Sequence, residues 1–374
     1  MTAYVFLVAI TIIAHIFFRY EYIDKRPRGL VYGGGDFDFD EARSRVESKT
    51  IGTFFVLYIA LLCLRDSSVG IDASRYISLY FDRFKYLDLA SVLHGTSDEY
   101  GFSILSKIIS LLTSSPQIYL AVIALISVVP VLILYRKEAD DALLCCSFFL
   151  ISLLFEAFFS ALREGIAIGL VVPAYYFVKR KKIIPFILIV LLASTFHLSA
   201  IIILVLYPIY HAKITWKWLW VVVPVMFILY RYNAEIFNTL LVVFGGKYAN
   251  KYLIYGYNAT GQYGLLVLFV LFSVYSFVML DEEIADKDDI GLRNILLLST
   301  ALQLFAPLHV LASRLNYYFI LLIPIVISRV NSKCKVRFWQ IAKVARFLMI
   351  AYFIFYFFFG KGDALRIMNY QFCF

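Results

Sequence analysis

The sequence is short of charge. Only 16% of its 374 residues are Asp, Glu, Lys or Arg, against roughly 25% in soluble chains, while 62% are hydrophobic. A water-facing domain needs a charged shell, so this deficit excludes an ordinary soluble enzyme. Long polar stretches are lacking as well. Intervals 19–50, 65–117 and 231–261 are too short or too amphipathic to bury a core of their own. The five cysteines (Cys63, Cys145, Cys146, Cys334 and Cys373) show no metal-ligand spacing and no disulfide framework. Cys145 and Cys146 fall inside an apolar run, where they read as small buried hydrophobes. No basic residue precedes the apolar stretch 3–18 and no small-residue cleavage site follows it, so it reads as a first span and not as a cleaved signal. Internal repeats and the alternating pattern of a membrane β-barrel are absent.

What is present is a series of apolar blocks near 2–18, 51–64, 118–135, 142–158, 164–178, 183–196, 198–211, 216–230, 262–280, 294–311, 315–329 and 338–359. In lipid each segment must satisfy its own backbone groups, so these blocks predict helices. The expected fold is an all-α polytopic membrane protein, one transmembrane domain over 1–374, with about twelve transmembrane helices (11–13). Orientation follows from Lys and Arg. Loops 19–50, 136–141, 179–182, 212–217, 281–293 and 330–337, with Arg329, carry 21 basic residues against 12 in the intervening loops and the tail. The richer set is expected on the cytoplasmic side, with Lys179-Arg180-Lys181-Lys182 as its marker and both termini outward. The formal charge of +9 has the same explanation. Residues 19–50 then form a cytoplasmic loop, 65–117 an outer segment with amphipathic helices, and 231–261 an outer loop. Segment 103–115 fits either a further short span or an interfacial amphipathic helix. Asp36, Asp38 and Asp40 resemble a metal-holding acidic pair, but their setting in a cytoplasmic linker reads as a solvated acidic run.

The outer side gathers Arg65, Asp66, Asp72, Arg75, Tyr76, Glu99, Arg163, Glu164, His197 and Arg314, from five separated parts of the chain. Ionisable residues beside a span are costly, so their convergence points to a site. Singly, each has a plainer reading. An arginine at a helix end snorkels to the headgroups. Asp72, Arg75 and Tyr76, spaced i, i+3, i+4, share a helix face and could hold an internal ion pair. Ile77, Tyr80, Phe81 and Phe84 continue that segment as an amphipathic helix. Arg163 and Glu164 could be a local pair. His197, between two apolar runs, could cap two spans, and His15, His94, His211 and His309 read as structural. Tyr232, Tyr248, Tyr252, Tyr255, Tyr257 and Tyr263 suit sugar stacking and an interfacial aromatic belt equally. Taken together, arginines can hold a diphosphate through forked hydrogen bonds, and a carboxylate or histidine can take a proton from a sugar hydroxyl. A lipid diphosphate is already a good leaving anion, so positioning and cationic stabilisation suffice without a metal.

These residues also carry a family resemblance. Leu64-Arg65-Asp66-Ser67-Ser68-Val69-Gly70-Ile71-Asp72-Ala73-Ser74-Arg75-Tyr76 resembles the "R…vG.D…Y" signature of the EpsG family of Wzy-like polysaccharide polymerases. Glu99-Tyr100-Gly101-Phe102 resembles its "E.G(F/Y)" element, and Ser160-Ala161-Leu162-Arg163-Glu164-Gly165-Ile166-Ala167 its "R…A" helix start. Phe196-His197-Leu198-Ser199-Ala200 is similar to its "FH.SA" turn, and Ser313-Arg314-Leu315-Asn316-Tyr317-Tyr318 to its late "R…YF" element. The five run in family order from 64 to 318. Ala73 stands where the family often has a polar residue.

The resemblance implies a bacterial inner-membrane glycosyltransferase akin to the membrane-embedded GT-C-like class. It would transfer a growing glycan from undecaprenyl diphosphate onto a lipid-linked oligosaccharide repeat unit at the periplasmic face, making O-antigen, capsule or exopolysaccharide. Its implied partners are that lipid-linked oligosaccharide, membrane lipids and a chain-length regulator protein; no nucleic acid, metal or cofactor is implied. Carried over by position, Arg65, Arg75, Arg163 and Arg314, with Tyr76, become diphosphate or substrate contacts. Glu99, Asp72 and His197 become the candidates for acceptor activation, Glu99 first because a carboxylate among apolar neighbours has a raised pKa. An O-antigen ligase using the same donor is the nearest alternative, disfavoured by the tiny loop 312–314. A transporter or flippase is the other, disfavoured because no paired interrupted spans stand out.

Overall fold

The computed structural model describes residues 1–24, 38–94, 99–244, 262–308, 310–363 and 365–374, and these form helices joined by short turns. Five helices are long and apolar enough to cross a membrane: Thr2–Asp24, Phe39–Leu64, Pro116–Glu138, Gln262–Met279 and Val336–Gly360. Three further pairs are bent by more than 40°, at 142–160, 216–240 and 311–332, which makes up to eight spans if each pair is one. The protein is therefore a polytopic helical membrane protein, with fewer helices of spanning length than the twelve apolar runs suggest. The difference lies in how the runs fold. Run 164–178 divides into Leu162–Gly169 and Val171–Lys179, and run 198–211 opens with a tighter coil over Leu198–Val205 before Leu206–His211. Helix Ile183–Phe196 has 14 residues, about 21 Å at 1.5 Å per residue, against a hydrocarbon core of about 30 Å.

Two boundaries move for identifiable reasons. The helix through the apolar run 51–64 begins at Phe39, inside the stretch read as a loop. Asp38 caps it by accepting from the backbone N–H of Asp40 at 2.9 Å and Glu41 at 3.0 Å, and Glu41 pairs with Arg45 one turn on. Asp38 is thus a helix cap, while Asp36 lies outside the described residues. Segment 103–115 becomes the helix Tyr100–Leu112, which places Ser103, Ser106 and Ser110 inward and Ile108, Leu111 and Leu112 outward. Small polar residues let it lie close to Pro116–Glu138, where Ser106 Oγ meets Tyr119 Oη at 3.0 Å.

The breaks are not legible in the sequence, where no paired Gly/Pro-interrupted spans stand out. At Ser152 the chain is extended (φ −65°, ψ 151°) and the helix axis turns by 60°. The Lys361 ammonium donates to the carbonyls of Leu150 at 3.1 Å and Ser152 at 3.3 Å and pairs with Glu156 at 3.1 Å. A cation from the tail thus satisfies carbonyls that a broken helix leaves open, which no local glycine or proline signals.

Both termini meet at one end. The Met1 ammonium donates to the Met368 carbonyl, Tyr4 Oη to the Ile367 carbonyl at 2.8 Å, and the Asp66 N–H to the Gln371 carbonyl at 2.9 Å. Beneath that end the Tyr58 ring packs edge-on against Phe149 and Phe159 and tilted against Phe155.

Candidate functional site

Two glycines with little room bring several of the residues grouped by sequence together. Gly70 has φ +97°, and a Cβ there would fall 2.2 Å from the Phe159 carbonyl oxygen. Only glycine allows that turn, which lays 66–72 over Phe159 and Ser160 and leads Asp72 to Tyr76 across the start of the helix Leu162–Gly169. A Cβ on Gly101 would fall 2.3 Å from Thr195 Oγ1. Its absence seats the start of Tyr100–Leu112 against the end of Ile183–Phe196, where the next residue is His197.

That contact makes the central pair. Glu99 Oε1 lies 2.5 Å from His197 Nδ1, and Glu99 Oε2 accepts from Arg163 Nη1. Arg163 also donates from Nε to Tyr76 Oη at 3.2 Å and from Nη1 to Tyr80 Oη at 3.4 Å, with its guanidinium 5.5 and 5.8 Å from the two ring centres. His197 turns the hairpin between Ile183–Phe196 and 198–211. Its backbone N–H donates to Ala193 and its carbonyl accepts from Ala200, while Phe186 packs on Tyr207 lower down.

A second layer lies beside this one. Glu164 is buried, with no hydrogen-bond partner for either carboxylate oxygen among the described residues. Arg314 Nε stands 3.9 Å from it, with the Arg314 side chain 36% exposed. Asp72, half-buried, acts electrostatically on Tyr76 and Arg314. Below, Phe102 meets the Tyr76 and Tyr80 rings at 5.5 and 5.1 Å, and Ile77, Phe81, Tyr119, Leu162 and Ile166 form an apolar floor.

The site corrects one expectation about Glu99. Burial alone would raise its carboxyl, as the apolar flanks suggest. The His197 hydrogen bond and charge, with the Arg163 charge, hold it below the usual glutamate value instead. Glu99 thus stays a carboxylate, suited to orienting a neighbour and poorly suited to taking a proton. Burial pushes the Tyr76 hydroxyl up, so it remains a neutral hydrogen-bonding group.

Of the residues grouped by sequence, the structure brings together Tyr76, Glu99, Arg163 and His197, with Asp72 and Arg314 alongside. Arg65 stands apart. It is fully buried, donates to the Phe159 carbonyl, packs 5.2 Å from the Phe159 ring and bridges to Phe372, which makes it a tie between the tail and the aromatic core. Arg75 is exposed, and no ion pair joins it to Asp72 among the described residues. Arg163 and Glu164 do not pair with each other, because Arg163 is engaged by Glu99 and the tyrosines.

Two residues carry more of the site than their sequence context indicates. Tyr80 was read with the apolar continuation of its helix, although it lies one turn after Tyr76 and so shares its face. Glu164 was read as a partner of its neighbour. Tyr248, Tyr252, Tyr255, Tyr257 and His309 lie outside the described residues; Tyr232 and Tyr263 are exposed. His15 Nδ1 meets Thr50 Oγ1 at 3.1 Å, His94 Nδ1 the Ala90 carbonyl at 2.8 Å, and His211 Nε2 the Val178 carbonyl at 3.1 Å, all within local packing.

Comparison with curated proteins and with solved structures finds no match. A family model does match, over residues 49–372, a span that contains all five motifs and every residue of the site just described. The chain therefore belongs to the EpsG family, a membrane-protein family associated with glycosyl transfer in polysaccharide polymerisation.

Proposed function

We propose that this chain transfers a growing glycan from undecaprenyl diphosphate onto a lipid-linked oligosaccharide repeat unit, at the periplasmic face of a bacterial inner membrane. The observation that carries the reading is the linked set Arg163–Glu99–His197, partly open to solvent at one end of the helix bundle. The basic count of 21 against 12 supports that end as the outer one.

Glu99 accepts the Nδ1–H of His197, which leaves Nε2 with a free lone pair for the acceptor sugar hydroxyl. The hydroxyl oxygen forms a bond to the anomeric carbon of the donor, and the bond from that carbon to the diphosphate oxygen breaks. The proton passes to His197 and the electron pair leaves on the lipid diphosphate. Arg314 and the remaining N–H groups of Arg163 stabilise that anion, and Arg75 is free to meet it at the surface. Asp72 and Glu164, whose oxygens accept no hydrogen bond among the described residues, accept from sugar hydroxyls. In this scheme the base is His197, and Glu99, first choice from sequence, positions it.

Purified lipid-linked repeat units, supplied without any lipid A–core acceptor, test the reading. Wild type in proteoliposomes should build a polymer ladder. His197→Ala and Arg163→Ala should each lose it by about 10²-fold or more, the scale of a missing general base or anion contact, while inserting normally. Full-length product from both variants overturns the assigned roles. Product that forms only when a core acceptor is added turns the reading to a ligase.

A further inference from the structure

A cavity of about 520 Å³ lies away from this site, at the opposite end of the bundle. Asp141, three residues past Glu138, and Ser332, three past Arg329, line it. The chain passes from Arg163 to Lys179 through Leu162–Gly169 and Val171–Lys179, and from Arg314 to Arg329 through the bent pair 311–332, which leads from the site cluster to that end. Three helices supply its cations: Arg19 closes Thr2–Arg19, Arg43 lies in the second turn of Phe39–Leu64, and Lys343 and Arg346 belong to Trp339–Phe355.

Its two acids are already engaged. Arg346 donates to both oxygens of Asp141, with Nη2–Oδ1 at 3.0 Å, and the Leu144 N–H donates to Asp141 at 3.1 Å. Glu47 Oε2 accepts from the Ala142 N–H at 2.6 Å, and Arg43 acts on that carboxylate only through space. Among the described residues no carboxylate lies within ion-pair distance of Arg19, Arg43 or Lys343. The Lys343 ammonium stands 3.3 Å from the Trp339 ring centre. Trp339 is half exposed, and the exposed Phe17 lies two residues before Arg19. The cavity thus joins unneutralised cations to an exposed aromatic edge.

We propose that this cavity binds a phosphate anion, held by Arg19, Arg43 and Lys343. Guanidinium groups grip a phosphate through paired N–H donors, and the ammonium adds a point charge. Two sources carry that chemistry: the headgroup of an anionic phospholipid, favoured by the aromatic edge, and a soluble phosphate ester. Binding here is independent of the outer-end reaction.

The test uses the full chain in nanodiscs of phosphatidylcholine alone or with phosphatidylglycerol, and compares wild type with the double variant Arg19→Gln, Arg43→Gln. Native mass spectrometry should find phosphatidylglycerol retained by wild type and held roughly 30-fold more weakly by the double variant, about fivefold per basic residue. In phosphatidylcholine alone, inorganic pyrophosphate is the second probe. A rise in Tm that the variant loses, without lipid preference, assigns the site to soluble phosphate esters. Equal lipid retention and equal pyrophosphate response in both proteins overturn the proposal. Should the double variant not fold, Lys343→Gln carries the same comparison, with an expected effect of about fivefold.

Discussion

Two charge clusters, one towards each end of the bundle, use the same residue types and reach opposite states. At the end remote from the site, Arg329 donates to Glu138, to Asp288 at 2.8 Å and to Asp289 at 3.2 Å. Lys179 reaches Glu138 at 3.0 Å and Asp288 at 2.6 Å, Lys333 reaches Asp289 at 2.6 Å, and the Tyr175 and Tyr210 hydroxyls both donate to Asp288. Burial pushes the Asp288 carboxyl upward, yet Arg329, Lys179 and the two tyrosines hold it below its usual value. Every charge of this network has several partners, which with Tyr210 clamps five segments of chain together. At the site end Glu164 accepts no hydrogen bond among the described residues and has only Arg314, 3.9 Å away, beside it, while Arg163, Arg314 and His197 remain partly open. Saturated ions hold a fold; unsaturated ones have capacity for a ligand.

Arg329→Met should break this comparison most severely. It leaves Glu138, Asp288 and Asp289 buried and short of a cation, at a cost of about 3–5 kcal/mol, read as a large fall in Tm in detergent and in membrane yield. Near-normal melting would mean that the network is not a structural clamp. Glu164→Gln should do the reverse. It removes a buried charge that accepts no hydrogen bond and faces Arg314 only at 3.9 Å, so Tm should hold or rise, while polymer formation falls about 10–100-fold for a lost charged hydrogen-bond acceptor of about 1.5–3 kcal/mol. Unchanged polymer formation would deny Glu164 a substrate contact. The smallest effect is on pH dependence. The folded carboxyl of Glu99 lies below the ordinary value of 4.5, so its stabilisation is complete above that value and is lost as pH falls through the folded one. The Tm difference between wild type and Glu99→Gln should therefore stay flat from pH 7 to about 5 and shrink below 4.5. A difference that grows on acidification would contradict the His197–Glu99–Arg163 arrangement.

Much of the site was readable because charge is so costly beside lipid. Glu99, Arg163, His197 and Arg314 stood out against an apolar background, and their motifs come in family order. What could not be read was who partners whom. Arg65 and Arg163 look alike in sequence, one Arg at each of two helix ends, but Arg65 is fully enclosed by the tail and the Phe159 ring. That enclosure depends on residues about 300 positions away. The apolar flanks of Glu99 pointed to a raised carboxyl, since one-dimensional context contains burial but not the cations that reverse it.

The sequence by itself determined the solvent of this protein, its helical class, the marker of its basic face and the pool of residues from which a site is built. Each of these follows from composition and short-range spacing, because hydrocarbon length and backbone hydrogen bonding constrain every apolar segment alike. Tertiary structure decided where spans break, since Lys361 supplies from the tail the donors that Leu150 and Ser152 need. It also decided the pairing within the charge clusters: which acids are neutralised and which are left without a hydrogen bond. Pairing depends on distances of a few ångströms between segments remote in the chain, such as Glu99 with His197 and Glu138 with Arg329, and sequence spacing does not encode those distances.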